Sequence, residues 1–284
     1  MNVVLRVTTD KRSFILKQSR PFVQKYPDIP APIERIDVEA QFYNALSKTN
    51  VSNHLPNVTN YAPEEYLLML SDLGDIVDMT SIYSSRVVND DHLAQLVRIT
   101  HQCHRSDISS DFPDNMELRQ LNHQHIFSLP FDSDNGFSLD DVQEGLQDLA
   151  RPYQENLELK TVIAELGESY LSKGKVLVHG DYYPGSWMSS GKDLYVLDPE
   201  FAHLGQVEFD LGVMSAHLIM ATHDIDYLSK ISTAYPNDID HLLLSRYAGV
   251  EMMRRLIGLA QLPMIRTVEE KKELLEIALQ LMQL

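Results

Sequence analysis

The sequence is poor in cysteine and in long hydrophobic runs. Cys103 is the only cysteine among 284 residues, so no internal disulfide can form and a structural zinc site built on cysteines is excluded. This cysteine usage favours a reducing compartment, the cytoplasm. The longest apolar tracts, such as residues 211–221, are too short and too polar to cross a bilayer, and the first residues do not resemble a signal peptide. The sequence predicts a globular protein without an export or membrane signal.

Basic charge is also scarce. The chain carries 24 Lys and Arg against 41 Asp and Glu, a formal net charge of −17. Residues 1–50 hold 8 basic and 5 acidic groups, so the remainder holds 16 against 36. An acidic surface repels nucleic-acid backbones and anionic lipids, and basic patches with interleaved aromatic residues are missing. We therefore expect neither nucleic acid nor a membrane as a partner.

The first 71 residues predict a small β-rich lobe. VVLRV (3–7) and SFILKQ (13–18) are short β-type runs joined by the polar TTDKR, which predicts an antiparallel hairpin. A proline-marked loop over residues 20–32 leads to a helix over 33–46, and a further strand over 66–70 ends at SDLGD, which we expect to be a hinge. We place the boundary of this lobe between residues 71 and 72.

Residues 72–284 predict a mainly helical second lobe. Helical spacing of apolar residues occurs over residues 90–107, 139–173, 209–221, 242–262 and 268–282. The stretch 111–138 is rich in Pro, Asp and Asn and predicts a surface loop. One small β insertion interrupts the helices: a strand at Val176–Val178, then a hairpin of Trp187–Ser189 and Leu194–Leu197.

Polar groups stand where these short strands end. The segment HGDYYPGS (179–186) places Asp181 in the loop after the first strand, and Asp198 follows the last one. The hairpin predicts Ser186 and Asp198 opposite each other at its open end, close to Asp181. Two carboxylates and a hydroxyl suit a hard cation such as Mg²⁺, with one acid left to accept a proton from an attacking hydroxyl. Phosphoryl transfer needs this division of labour.

A strand-end lysine would complete such a site. Lys17 in FILK, paired with a glutamate of the following helix, is suited to holding nucleotide phosphates. Glu39 is the favoured partner and Glu34 its competitor, and each could instead be an exposed helix residue.

These motifs resemble a known enzyme superfamily. HGDYYPGS followed by VLDPEFAHLGQVEFDLG is similar to the aminoglycoside phosphotransferase and choline kinase superfamily, closest to its methylthioribose kinases in the DPE triplet and in Ser186. The resemblance covers most of the chain, including FILKQSRPFVQ and GVEMMRRLIGLAQL. It implies an α+β, protein-kinase-like bilobal fold and an ATP- and Mg²⁺-dependent kinase that phosphorylates a small-molecule hydroxyl. It suggests methylthioribose-like sugars as first acceptor and aminoglycosides as second, since an acidic lobe favours neutral or cationic acceptors.

The resemblance also implies roles for particular residues. Asp181 would be the catalytic acid–base, and Mg²⁺ would be held by Asp198, Glu200 and, at the second metal-ligand position, Ser186. Around ATP the implied residues are Lys17, Glu39, Met69 and Ser71. The supporting residues are His179 and Asp210 at the catalytic loop, and Arg254 or Arg255 would approach the acceptor.

Some positions keep an alternative reading. The Ser186 hydroxyl could bond to a local backbone group instead of a metal. Arg254 and Arg255 are adjacent and diverge by about 100° on a helix, so at most one is expected to face the site and the other to lie on the surface. The histidine pairs 101/104 and 123/125 lack the carboxylate partners of a zinc site.

One feature departs from the family pattern. No glycine occurs before Gly74, so residues 1–73 cannot contain the family's glycine-rich loop over the phosphates, and we expect a truncated N-terminal lobe. Either that element is encoded upstream of Met1, or the chain is a catalytically impaired, kinase-like binding or regulatory protein.

Overall fold

A computed structural model describes residues 2–23, 26–259 and 261–283, and these form a mixed α+β protein. The strands are β1 Val3–Thr8, β2 Ser13–Gln18, β3 Phe22–Val23, β4 Tyr26–Pro30, β5 Val58–Ala62, β6 Leu67–Ser71, β7 Val77–Asp78, β8 Val176–Val178, β9 Trp187–Ser190, β10 Asp193–Val196 and β11 His203–Gly205. The α-helices are α1 Arg35–Leu46, α2 Ile82–Ser85, α3 Asp90–His104, α4 Met116–His123, α5 Leu146–Glu155, α6 Leu157–Leu171, α7 Val207–Thr222, α8 Tyr227–Ala234, α9 His241–Ile257 and α10 Val268–Met282.

The chain divides into two compact units. The first comprises the chain up to Met79 together with Arg98–Arg119 and Lys173–Gly205; the second comprises Thr80–Val97, Gln120–Ser172 and the chain from Gln206 onward. Each unit is built from three separate stretches of sequence. The predicted lobe boundary between residues 71 and 72 divides the sequence at one point, and it stays a prediction.

The first unit is built on an antiparallel sheet in the order β1-β2-β6-β5. The predicted hairpin of β1 and β2 is confirmed, with Val4 opposite Lys17 and Leu5 opposite Leu16. The β9–β10 hairpin and the short strand β8 are also confirmed, and β8 pairs with β11. Helix α1 begins two residues later than predicted and buries Ile36, Phe42 and Leu46, the apolar stripe of the sequence.

Two loop predictions are wrong. Residues 20–32 contain the antiparallel pair β3–β4, with Phe22 opposite Pro30, because proline is tolerated at strand ends and sheet edges. Residues 111–138 contain α4, a π-helical turn over Gln124–Ser128 and a 3₁₀ turn over Leu129–Phe131. Burial of apolar side chains at helical spacing outweighs the local turn preference of Pro, Asp and Asn there; the buried set is Leu118, Ile126, Phe127 and Phe131.

The second unit is a helical bundle around α7 and α9. Almost the whole of α7 is buried, and it approaches α9 closely because Gly212 has no side chain: a Cβ there would lie 2.6 Å from the Cβ of Tyr247. The stretch 139–173, predicted to be mostly helical, contains two helices, since Asn156 ends α5 and caps α6 through a hydrogen bond from the Leu159 N–H. In the described part of the chain, no helix has the length and hydropathy that a membrane crossing requires.

Helix α10 begins at a capping box, which gives a first prediction. The Thr267 hydroxyl accepts a hydrogen bond from the Glu270 N–H, and Glu270 accepts one from the Thr267 N–H. That hydrogen bond and the Arg86 guanidinium hold the pKa of Glu270 at about 2. Thr267→Ala is expected to lower the free energy of unfolding by about 1 kcal/mol, measured by urea denaturation. Thr267→Ser keeps the cap, and an equal loss in both variants would contradict this prediction.

Candidate active site

The first unit encloses a cavity of about 350 Å³, within the size range of small-molecule sites. One part of its lining is apolar and comes from Ile15, Leu70, Met188 and Leu197. The other part is polar and comes from Lys17, Glu39, Tyr43 and Asp198. The cavity therefore combines an apolar surface that suits a planar base with a charged end that suits phosphates.

Lys17 is the centre of the charged end. It lies on β2 and is buried, and its Nζ donates to Asp198 Oδ1 and lies 2.5 Å from Glu39 Oε2. Glu39 lies on the buried side of α1, where its side chain is 1% exposed, whereas the Asp198 side chain is 45% exposed. The structure thus brings together three residues predicted to act on the nucleotide and its metal. Glu34, the competing partner, is exposed and lines a different cavity of the first unit.

Burial and charge act in opposite directions on these groups. Burial raises the pKa of Glu39 to about 7, even though the adjacent Lys17 ammonium lowers it. Burial also raises the pKa of Asp198, but the Lys17 charge overrides this effect and holds it at about 2. Burial alone would lower the pKa of Lys17, and the charges of Asp198 and Glu39 instead raise it. Near neutral pH, Lys17 and Asp198 are therefore a charged pair.

Asp198 occupies an unusual backbone position at the end of the β9–β10 hairpin. Its φ is +68°, in the left-handed region, and its N–H donates to the Tyr43 hydroxyl at 3.1 Å. The predicted register is wrong by one residue: the Leu197 N–H, not that of Asp198, donates to the Ser186 carbonyl at 2.9 Å. Asp198 lies beyond the last rung of the hairpin, which leaves its carboxylate directed to Lys17 instead of a cross-strand neighbour.

The loop of Asp181 is fixed by its neighbours. Gly180 has φ +83°, and a Cβ there would lie 2.3 Å from the Phe201 carbonyl oxygen, so no other residue fits without rearrangement. His179 Nε2 contacts the Leu197 carbonyl at 2.9 Å and its Nδ1 accepts from the Asp181 N–H at 3.3 Å. The Ser186 hydroxyl donates to the Asp181 carbonyl at 3.0 Å. The last two of these bonds use the main chain of Asp181, whose side chain is half-buried.

Glu200 lies in a more enclosed position than Asp198. Its Oε2 is 3.2 Å from Arg35 Nε and accepts from the Asn2 amide at 3.0 Å. Its side chain is 4% exposed, and burial and the nearby Asp198 charge raise its pKa. Glu200 is therefore bound on one side by Arg35, and its predicted contact with a metal stays a prediction.

The remaining predicted residues fall in several places. Ser71 lines the cavity, and its N–H donates to the Asn57 carbonyl at 2.9 Å. Met69 does not belong to the described lining of that cavity, to which β6 contributes Leu70 and Ser71. Asp210 is buried in the first turn of α7 in the second unit. The roles of these three residues stay predictions.

Arg254 and Arg255 lie on α9 and are both buried, so the expectation that one of them lies on the surface is wrong. Glu251, one turn earlier, reaches both: its Oε2 accepts from Arg254 Nε, and its Oε1 accepts from Arg255 Nε at 2.8 Å. Positions i+3 and i+4 are both neighbours of position i on a helix. A single carboxylate can therefore bind two side chains that leave the helix in different directions.

Comparison with known proteins assigns the chain. Residues 2–242 match the model of the phosphotransferase enzyme family. The chain belongs to this family. It is 25% identical to a methylthioribose kinase of Exiguobacterium sibiricum over 97% of this chain and 82% of that protein, and 27% identical to methylthioribose kinase 1 of rice, Oryza sativa subsp. japonica, over 78% and 54%.

Solved structures agree on the fold. The AMP-bound complex of a spectinomycin phosphotransferase matches with a TM-score of 0.55 at 14% identity, over 97% of this chain and 90% of that one. The choline kinase LicA of Streptococcus pneumoniae matches with a TM-score of 0.52 at 10% identity, over 99% and 89%. The α+β, protein-kinase-like fold is confirmed, and this phosphotransferase is a small-molecule kinase for which ATP use is expected.

The charged end of the kinase cavity fits a magnesium-bound nucleotide. No group of three His, Cys, Asp or Glu side chains close enough to hold a metal occurs among the described residues. Mg²⁺ does not require such a cage, because it is commonly bound by one or two carboxylates together with waters and substrate phosphates. The exposed carboxylate of Asp198 suits that role better than Glu200, whose side chain is enclosed.

Sequence reasoning missed several residues of these clusters. Arg35 is 1% exposed and holds Glu200, and its spacing of four residues from Glu39 on one predicted helix was a usable signal. Tyr43 has the same spacing from Glu39, and burial raises its pKa well above the ordinary value. Glu251 precedes Arg254 and Arg255 by three and four residues on one predicted helix, which was also a usable signal. His217 gave none, because its partner Glu251 lies in a different helix.

Proposed function

We propose that this kinase transfers the γ-phosphoryl group of Mg-ATP to a hydroxyl group of a neutral sugar of the methylthioribose type. The observation that carries the proposal is the ion pair of the buried Lys17 with Glu39 and Asp198 in a cavity that also has an apolar surface. The names of the most similar relatives, all methylthioribose kinases, support the choice of acceptor.

The residues that line the cavity of the first unit have distinct roles in this reaction. The apolar surface of Ile15, Leu70 and Leu197 would receive the adenine base. Bound Mg-ATP supplies the phosphoryl group and a metal that neutralises its charge. Lys17 would bind phosphate oxygens, and Glu39 keeps the ammonium group in place.

Asp181 would accept the proton of the acceptor hydroxyl. As the hydroxyl oxygen forms its bond to the γ-phosphorus, the bond from that phosphorus to the bridging oxygen breaks and ADP leaves. The hydroxyl proton passes to the Asp181 carboxylate. Hydrogen bonds of the Asp181 main chain with His179 and Ser186 fix the loop that carries this carboxylate.

Local charge favours a sugar over an aminoglycoside. Arg254 and Arg255 carry two positive charges against one on Glu251, and a guanidinium group donates hydrogen bonds but accepts none. Hydroxyl oxygens can accept these hydrogen bonds, whereas ammonium groups would be repelled. The overall acidic charge of the chain favours the opposite choice, but charges on the surface are screened more strongly by salt than this buried cluster.

The acceptor is tested by a coupled ADP-release assay with methylthioribose and with spectinomycin or kanamycin. Turnover of the sugar with a kcat/KM at least about tenfold above that of either antibiotic supports the proposal. Preference for an aminoglycoside would contradict it.

The metal-binding role of Asp198 gives a separate prediction. Asp198→Asn is expected to weaken Mg-ATP binding by about ten- to a hundredfold, because an uncharged amide is a poorer ligand for a hard cation. Asparagine tolerates the left-handed backbone of this position, so the fold should persist. Calorimetric titration of ATP with and without Mg²⁺ measures the effect.

The matched control for Asp198 is Asp193→Asn, an exposed aspartate of the same hairpin. Equal Mg-ATP affinity in the wild type and in Asp198→Asn would contradict the metal role. Failure of the wild type itself to bind ATP would contradict the kinase proposal as a whole.

A further inference from the structure

A chain of buried hydrogen bonds leads away from the paired arginines within the second unit. Glu251 Oε1, which accepts from Arg255, also lies 3.0 Å from His217 Nε2, and the Tyr83 hydroxyl lies 2.6 Å from His217 Nδ1. The five residues linked by these hydrogen bonds are all buried, with exposures from 0% for Tyr83 and His217 to 8% for Arg255. Two cations, a carboxylate, an imidazole and a phenol are therefore linked in one network without direct access to bulk water.

The direction of these hydrogen bonds can be assigned. Burial lowers the pKa of His217 to about 4, so its imidazole is neutral near neutral pH. Burial tends to raise the pKa of Glu251, but the charges of Arg254 and Arg255 hold it well below its ordinary value. The ionised carboxylate only accepts hydrogen bonds, so His217 donates one through Nε2. Its Nδ1 then accepts a hydrogen bond from the Tyr83 hydroxyl. Each member of the network has one defined donor and acceptor arrangement.

This arrangement holds together two arginine side chains that would otherwise diverge and repel each other. Adjacent residues on a helix leave it about 100° apart, and two like charges in a buried setting repel each other. Glu251 offers one carboxylate oxygen to each guanidinium group, and the His217 N–H fixes the rotation of that carboxylate.

We infer that Glu251 is a positioning residue for acceptor recognition, which it performs by holding the Arg254 and Arg255 guanidinium groups as one paired hydrogen-bond donor. His217 and Tyr83 orient the Glu251 carboxylate from behind. The inference rests on the proposed function, since it takes the arginines to bind the acceptor. It predicts that damage to the network weakens acceptor binding and leaves ATP binding unchanged.

The test compares graded variants with methylthioribose as acceptor. Glu251→Gln has one acceptor oxygen and no charge, so it can hold only one arginine; the KM for the acceptor should rise about ten- to a hundredfold, with the KM for ATP within about twofold. His217→Leu should produce a smaller rise. His217→Gln, whose amide N–H can replace the Nε2 donor, should restore most of the affinity, and Tyr83→Phe should have the smallest effect.

A matched control separates positioning from stability. Ser245 lies on the same helix, is 1% exposed, and donates to the Leu281 carbonyl at 2.7 Å outside the network. Ser245→Ala should lower thermal stability without raising the acceptor KM. A rise in acceptor KM in Ser245→Ala equal to that in Glu251→Gln, or an unchanged KM in Glu251→Gln, overturns the inference.

An NMR measurement distinguishes failure of this inference from failure of the proposed function. If the wild type does not phosphorylate methylthioribose, the proposed function fails, and the positioning role is then read from the arginine Nε–H signals in nitrogen-15 NMR. Two slowly exchanging signals in the wild type, of which at least one vanishes in Glu251→Gln while both persist in Ser245→Ala, support the role of Glu251. Signals that are unchanged in Glu251→Gln overturn it.

Discussion

Replacing Asp181 by Asn is expected to lower kcat by about 10²–10⁴-fold, the range that general acid–base catalysis contributes. The amide cannot take the proton of the acceptor hydroxyl, although it has nearly the same shape as the carboxylate. The loop should remain in place, because His179 and Ser186 form hydrogen bonds with the main chain of residue 181, which the substitution keeps. The affinity for Mg-ATP should therefore remain within about twofold of the wild type.

Steady-state kinetics and calorimetry on the same preparation measure these two effects. Asp193→Asn changes an exposed aspartate in the same way and should leave both values unaltered. A kcat within about tenfold of the wild type would contradict the acid–base role of Asp181. A parallel loss of ATP binding would indicate that residue 181 maintains the nucleotide site instead of the chemical step.

The second large effect is expected at Lys17, where Lys17→Met should lower the free energy of unfolding by about 3–5 kcal/mol. Methionine fills much of the same volume but leaves the Glu39 carboxylate buried without its counter-charge, and the Glu39 side chain is only 1% exposed. Asp198 contributes less to this loss, since its half-exposed carboxylate can be solvated. The same variant should lose measurable ATP binding.

The loss in Lys17→Met should depend on pH. The folded pKa of Glu39, about 7, lies above its ordinary value of 4.5. Its protonation therefore contributes stability that is complete below about pH 4.5 and is lost as the pH rises through 7. Asp198 has the opposite sign: its folded pKa, about 2, lies below 3.8, so its contribution is present above pH 3.8 and is lost as the pH falls through 2. The deficit of the variant should thus be largest above pH 7 and shrink towards pH 4.

Urea denaturation of the wild type and Lys17→Met at pH 8, 6 and 4.5 tests this dependence. Lys11→Met removes an exposed lysine from the loop of the same hairpin and serves as the control. A deficit that is constant over this pH range would show that lost packing, not an uncompensated Glu39 carboxylate, destabilises the variant.

Local features of the fold were readable from the sequence. The β1–β2 hairpin follows from two β-type runs around a polar turn, and α10 coincides with the predicted range 268–282 because Thr267 caps an amphipathic stretch. These elements depend on neighbours within a few residues, so their pattern lies in the sequence itself. The motifs HGD and DPE likewise identified the superfamily, since the loop around Asp181 is built from one continuous stretch.

Other elements required tertiary burial. The helix and π-helical turn within 111–138 form in a segment whose composition indicates a loop, since Ile126 and Phe127 are buried by residues far away in sequence. The division of 139–173 into two helices follows instead from a local feature, the cap at Asn156. Within 111–138 the free energy of packing is larger than the local preference of the chain.

What the sequence by itself determined is therefore the set of chemical groups, the fold class and the elements that each group belongs to. Only the tertiary structure decided which groups from distant parts of the chain meet: Lys17 contacts Asp198 across 181 residues, and His217 contacts Glu251 across 34. The physical reason is that burial and charge act through space. A carboxylate or an ammonium group acquires its partner and its pKa from whatever the folded chain places beside it.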